Sequence, residues 1–320
     1  MYQGVYLLRN IVEEEKKAKR KVHLLFGASR LAGILGHLQA VRFCEQAQVS
    51  FDSVYGSQIG SVPAAMFSCG VSYRKLWYYL IHQLNSKEIF DFRYRDILTK
   101  TLTFNPLHLD GVCYGKNVRH ALQILFQEQT KKPENLTIFA EYLDSNRLKK
   151  FKPPKEIPIL DAISAATAIT ALYPPYQYGK QTYVDSGVLG GLPLREIIQE
   201  QGIKKRGLKK HTIIAFQEAF TSHYEKLSLA ERLVYSFVEK VRYHSALLDI
   251  EFAKQSGVRL ILISFYAGDL KKSLVSMTPK EKFSLLDAYS MDITEQLRHY
   301  TNYIQQKKWP YEKLTPLARS

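Results

Sequence analysis

The chain has 320 residues, 46% of them hydrophobic and 23% charged, enough apolar material for one large core or a core with a small appendage. No stretch reaches the roughly 18 consecutive apolar residues of a membrane span, and MYQGVYLLRNIV runs straight into EEEKKAKRK without the apolar region and cleavage site of a secretion signal. The expectation is a cytoplasmic or peripherally membrane-associated protein. A formal charge of +15 favours polyanions, either an anionic membrane surface or nucleic acid, but the basic runs KKAKRK (16–21) and KKRGLKK (204–210) come with no groove-docking motif and read as solvated faces or turns.

Along the chain, KVHLLF (21–26) is a short apolar run ended by Gly27, and from Leu35 onward Leu38, Val41, Ala40 and Cys44 recur at helical spacing. The same strand, loop and helix order returns with FDSVY (51–55), a turn bounded by Gly56 and Gly60, and SVPAAMFSCG, which Gly70 terminates. Two such units in succession predict a parallel sheet covered by helices. LTIFAEY (136–142), QTYVD (181–185), HTIIAF (211–216) and VRLILISF (258–265) have the length and β-branched or aromatic content of buried strands. Ser228 with Glu231 reads as a capping box, and Thr278, Pro279 and Glu281 place a cap, a first-turn proline and a first-turn acid in order. Cys44, Cys69 and Cys113 form no C-x-x-C pair and read as reduced core thiols, and no metal site is indicated.

The segment VYGSQIGSVPAAMFSCG has the layout of a nucleophile elbow, where a strand ends in a tight turn and a helix begins at once. Such a turn strains its central residue, so the positions two before and two after it must be small, as Gly56 and Gly60 are. The central residue is Gln58, whose carboxamide has no ionisable proton for a general base to remove. Ser57 has Tyr55 and Ile59 as its own flanking positions and is expected to point away from the cleft; Ser61 lies in the first helical turn. Upstream, Gly27, Ala28, Ser29 and Arg30 occupy the place of a glycine-rich oxyanion loop, where Ala28 can adopt left-handed backbone only at a cost of about 1–2 kcal/mol, which counts against converging N–H donors, and Arg30 either braces the loop or attracts an anion. Downstream, TYVDSGVLGGLPL puts Asp185 at a strand end before a loop with Gly187, Gly190, Gly191 and Pro193, where it either organises the loop by accepting N–H groups or acts on a neighbouring hydroxyl.

In order and context these motifs, with ILDAISAATAITALYPPYQYGKQTYVDSGVLGGLPLREII, are similar to the patatin-like phospholipases, whose pattern is G-G-G-x-R-G, G-x-S-x-G, an A-S-rich helix ending in F-P-P, and D-G-[GA]-x-x-x-N-x-P; the likeness covers about residues 22–217. The resemblance implies an α/β fold of three layers with a mostly parallel central sheet and a helical C-terminal portion. On it, residues 1–20 are a basic helical extension, 21–217 the patatin-like core, and 218–320 the portion completing the same domain with a strand near 258–265. It also implies hydrolysis of lipid acyl esters by a Ser/Asp dyad without metal or cofactor, mapping the nucleophile to Gln58, the dyad acid to Asp185 and the oxyanion loop to Gly27, Ala28, Ser29 and Arg30. The sequence departs at Gln58, at the reduced glycine loop, at D-S-G (185–187) and at Leu192.

Three expectations follow: a pseudoenzyme whose cleft binds lipid or whose surface binds a protein partner; a hydrolase with a displaced nucleophile, Ser57 or Ser61; or a basic module docking on anionic membranes rather than nucleic acid. The aromatic stretch YRKLWYYLIHQLNSKEIFDFRYRD (73–96), placed where such folds carry a lid, and the basic IQQKKWPYEKL (304–314) around Trp309 fit either core packing or a membrane boundary.

Overall fold

A computed structural model describes residues 2–84, 90–95, 111–127, 129, 131–145, 147–169, 172–186, 191–201, 210–219, 229–266 and 274–305, with backbone alone at 2, 229–239 and 305. Ser228 of the first capping box, most of KKRGLKK, Gly187, Gly190 and the stretch around Trp309 lie outside the described residues.

In chain order the elements are α1 (Tyr2–Lys17), β1 (Lys21–Phe26), α2 (Ile34–Ala47), β2 (Ser53–Ser57), α3 (Ser61–Cys69), α4 (Tyr73–Tyr78, prolonged by a wider turn to Gln83), α5 (Lys116–Phe126), β3 (Leu136–Tyr142), β4 (Leu148–Phe151), α6 (Ile159–Ala166), β5 (Tyr176–Tyr178), β6 (Gln181–Val184), α7 (Leu194–Glu200), β7 (His211–Glu218), α8 (Leu229–Ser256), β8 (Arg259–Phe265) and α9 (Pro279–Gln305). Among the described residues the eight strands form one sheet in the order β5-β6-β3-β2-β1-β7-β8, with β4 also paired to β3. Its centre, β3-β2-β1-β7-β8, is parallel, and its β3, β4, β5 and β6 edge is antiparallel.

Side chains alternate across the sheet, so each strand feeds two helical layers. Phe26 meets the His37 ring of α2 on one face, 5.8 Å between centroids. Tyr55, out of phase with Phe26, turns to the other face and accepts a hydrogen bond from Gln201 Nε2, just past α7, at 2.7 Å. Burial of Leu24, Leu25, Phe26, Ile214 and Ile261 on both faces explains why the central strands read as continuous apolar runs.

Near the start of the described chain, α1 (Tyr2–Lys17) packs onto the sheet. Val5, Leu8, Ile11 and Val12 of α1 belong to the main core, and Glu15, 1% exposed, accepts hydrogen bonds from Thr212 of β7 and Arg259 of β8. At the other end of the chain, the Thr278–Glu281 box forms as predicted, with Thr278 N–H donating to Glu281 Oε2 and Glu281 N–H to Thr278 Oγ1. Its next residue, buried Lys282, donates to the Leu80 and Leu84 carbonyls, which satisfies the end of the α4 segment and fastens α9 to it. All three cysteines are buried and unbridged, and burial raises Cys69 and Cys113 each to about 11.

Candidate functional site

The site forms at the carboxyl ends of β1, β2 and β6. β2 ends in a turn where Gln58 takes a φ of 51°, and α3 starts three residues later. Left-handed backbone costs a non-glycine residue about 1–2 kcal/mol, so the surroundings must enforce it. They do so through the two glycines. A Cβ on Gly56 would stand 2.6 Å from the Ser61 Cα, and one on Gly60 would stand 2.3 Å from the Phe26 carbonyl oxygen and 2.4 Å from that of Gly27.

β6 returns antiparallel to β3, pairing Val184 with Glu141, and so delivers Asp185 beside the elbow. Gln58 Nε2 donates to Asp185 Oδ2 at 2.9 Å, and both residues are buried. A carboxylate only accepts, which fixes the amide orientation and leaves Gln58 Oε1 buried without a hydrogen-bond partner. Asp185 N–H donates to the Ala168 carbonyl at 3.1 Å. Burial, and then the Asp185 charge, push the neighbouring Glu141 carboxyl up to about 7.

Neither serine reaches that aspartate by a described hydrogen bond. Ser57 is in phase with Tyr55, so its hydroxyl turns to the far side and lies 2.8 Å from Ser186 Oγ, both fully buried. Ser61 Oγ closes the elbow by donating to the Gln58 carbonyl at 2.6 Å.

The loop after β1 is held by its own backbone. Gly27 N–H donates to the Phe216 carbonyl and Ala28 N–H to the Gly191 carbonyl, each at 2.8 Å. Ala28 does not take a positive φ, in keeping with the cost of left-handed backbone there, and its N–H is directed to Gly191 instead of converging on the cleft. Arg30 has the bracing role: its N–H and guanidinium engage Glu218 at 2.6, 3.1 and 2.8 Å. Ser29 is buried with its hydroxyl unpartnered. Glu218 and Ser186 were not singled out from sequence. A carboxylate ending the apolar run HTIIAFQE, on the strand beside the loop, is the signal that could have found the first.

Beside the elbow lies an apolar chamber of about 220 Å³. Leu31 and Ile34 beyond the loop, Ile59 and Val62 after Gln58, Leu76 and Leu80 of α4, and Ala121 and Leu125 of α5 wall it. Val118, Thr167 and Tyr173 separate it from an open vestibule of about 600 Å³ that carries Tyr114, Lys116 and Arg119. Within the vestibule wall, Arg119 is tied to Asp161 and to the Tyr176 hydroxyl at 2.7 and 2.9 Å.

The family model for patatin-like phospholipase matches residues 27–198, more than half of the 320-residue chain. The chain belongs to the patatin-like phospholipase family. Its match begins at the loop glycine and ends within α7, so it takes in the elbow, Asp185 and the chamber walls. Among solved structures, this patatin-like chain is similar to VipD from Legionella pneumophila, with 12% identity, a TM-score of 0.47, and coverage of 88% of this chain and 67% of that one. No curated protein matches it. No helix among the described residues is long and apolar enough to cross a membrane.

Proposed function

We propose that this patatin-like chain is a pseudoenzyme that binds a fatty acyl chain in the chamber beside its elbow. The observation that carries the reading is the Gln58–Asp185 hydrogen bond at the nucleophile position. A glutamine side chain has the connectivity of an O-acylated serine: Cβ, one atom, then a planar carbonyl. Its carboxamide therefore fills the space of an acyl-enzyme ester, while offering neither a nucleophile nor a leaving group. Two further features support a silent site. The Gly27 and Ala28 N–H groups are engaged by Phe216 and Gly191, so neither is aimed at a developing oxyanion. Ser57 and Ser61 make their described hydrogen bonds within the turn and the core.

The chamber supports the binding half of the proposal. At about 220 Å³ it has room for roughly seven methylenes, taking each as comparable to the ~30 Å³ share of a water. Burying such a segment contributes about 0.8 kcal/mol per methylene.

The test has two arms. Purified protein presented with phospholipid and neutral ester micelles is expected to release no fatty acid above the buffer rate; turnover that Asp185→Ala abolishes would overturn the silent site. A fluorescent fatty acid is expected to bind wild type, and Ala121→Trp, which fills the chamber, should weaken it at least roughly tenfold by removing buried methylene contacts. Equal affinity in the two proteins would remove the chamber from the proposal.

A further inference from the structure

We propose that the chamber selects straight acyl chains of about eight carbons, with Leu125 of α5 as the stop that sets their length. This inference rests on the acyl-binding reading and adds the class of ligand to it. The mouth is marked by the residues that the chamber shares with the vestibule, Val118, Thr167 and Tyr173. It lies beside the elbow, because the carbonyl of Ala168, next to Thr167, accepts the Asp185 N–H at 3.1 Å. From Val118 the wall follows one stripe of α5: Val118, Ala121, Leu122 and Leu125 all line the chamber and recur at the three- and four-residue spacing of a single helix face. Leu125, two turns beyond the mouth, lines the chamber and not the vestibule.

Length and volume point to the same occupant. Val118 and Leu125 are seven residues apart, which at a helical rise of about 1.5 Å per residue makes the stripe about 10.5 Å long. A C–C bond of about 1.5 Å advances an extended chain by about 1.3 Å per methylene, so the stripe accommodates about eight of them. Spread over the same length, the volume of about 220 Å³ gives a cross-section of about 21 Å². A methylene of ~30 Å³ and ~1.3 Å occupies about 23 Å². The chamber is therefore one chain wide, which admits a straight chain and not a ring system, and a ligand can lengthen only by going deeper. Depth is limited by the packing. Leu125 is buried in the main core, and the α4 wall is pinned, because the carbonyls of Leu80 and Leu84 accept hydrogen bonds from buried Lys282 of α9. Neither wall can retreat to admit more carbon without opening a close-packed interior.

Saturated straight-chain fatty acids from about four to about fourteen carbons, titrated calorimetrically below their micelle-forming concentrations, share one head, so differences within the series report the chain alone. Affinity is expected to rise about fourfold per added methylene, the equivalent of burying one CH₂. The rise should stop at about eight carbons, where the chain reaches Leu125. Leu125→Ala removes roughly three carbons from the floor and should move that break about two to three carbons longer. Leu125→Phe raises the floor and should move it about two carbons shorter, which decides the matter if the alanine variant folds poorly. Ile198→Ala, which removes buried volume from α7 outside the chamber, should leave the break where wild type has it. An affinity that keeps rising to the longest chain, a break that neither Leu125 variant moves, or one that Ile198→Ala moves as far would overturn the length stop and leave acyl binding standing. Absence of binding at every length would overturn both.

Discussion

A glutamine held at a φ of 51° is unfavourable by about 1–2 kcal/mol, yet here the surroundings impose that conformation. The strain persists because it is set by Gly56, Gly60 and the strand end, and not by the chemistry at the turn. Gln58→Ser tests this separation. It places a hydroxyl at the elbow and removes the hydrogen bond to Asp185, at a cost of about 1–3 kcal/mol in a buried site. The variant is expected to remain unlabelled by a fluorophosphonate, since the Gly27 and Ala28 N–H groups are engaged elsewhere. Covalent labelling of Ser at this position, read by intact mass, would mean that the loop re-forms an oxyanion site. At this scale, what was legible depended on local periodicity. Ser57 pointing away follows from its sharing a face with Tyr55, and the elbow glycines follow from their spacing. The course of Ala28 was not legible, because its N–H is taken by Gly191, more than a hundred residues away in sequence.

At the scale of elements, the elbow is a close crossing of three pieces of backbone: the end of β1, the turn after β2 and the start of α3. Gly60 is where they touch. Gly60→Ala is expected to destabilise the fold by about 2–3 kcal/mol, the upper part of the overpacking range, because its Cβ would meet carbonyl oxygens of Phe26 and Gly27 and not a mobile side-chain end. Urea denaturation with an unchanged m-value would read that loss directly. A change under about 0.5 kcal/mol, the level of ordinary surface substitutions, would mean that the crossing is looser than its geometry. The strands and helices around this crossing could be predicted from apolar runs and from caps such as Gly70 and Thr278. The antiparallel edge was less visible. β4 and β5 are short and half exposed, so they carry little hydrophobic pattern, and only the Gly179 turn, at a φ of 61°, marks the hairpin between β5 and β6. The chamber was hidden for a different reason: its walls come from the loop, α3, α4 and α5, and no one segment announces an enclosed volume.

For the whole molecule, the buried titratable groups pull stability in opposite directions. Burial lowers His23 to about 4, helped by the neighbouring His211, and lowers His37 to about 3. Both stay neutral in the fold while the unfolded chain takes up protons below the ordinary value of 6.5, so stability is lost as the pH falls from there toward each folded value. Asp249 and Glu141 act the other way. Burial raises both to about 7, so the fold binds protons that the unfolded chain does not, and stability is gained as the pH falls through 7 toward their ordinary values of 3.8 and 4.5. The two sets oppose each other in the mildly acidic range, which predicts a shallow wild-type profile there. His37 can be isolated from the rest. It is wholly buried between the rings of Phe26 and Phe265, and although the Gly27 carbonyl lies near it, neither ring nitrogen has a hydrogen bond of good geometry. His37→Leu removes its proton uptake from the unfolded chain. Relative to wild type, the variant should gain about 1.4 kcal/mol for each pH unit below 6.5. Denaturant titrations of both proteins at several pH values measure that difference. Parallel profiles would show that the imidazole protonates in the fold as readily as in the unfolded chain, and that its burial is not what the packing of Phe26 and Phe265 implies.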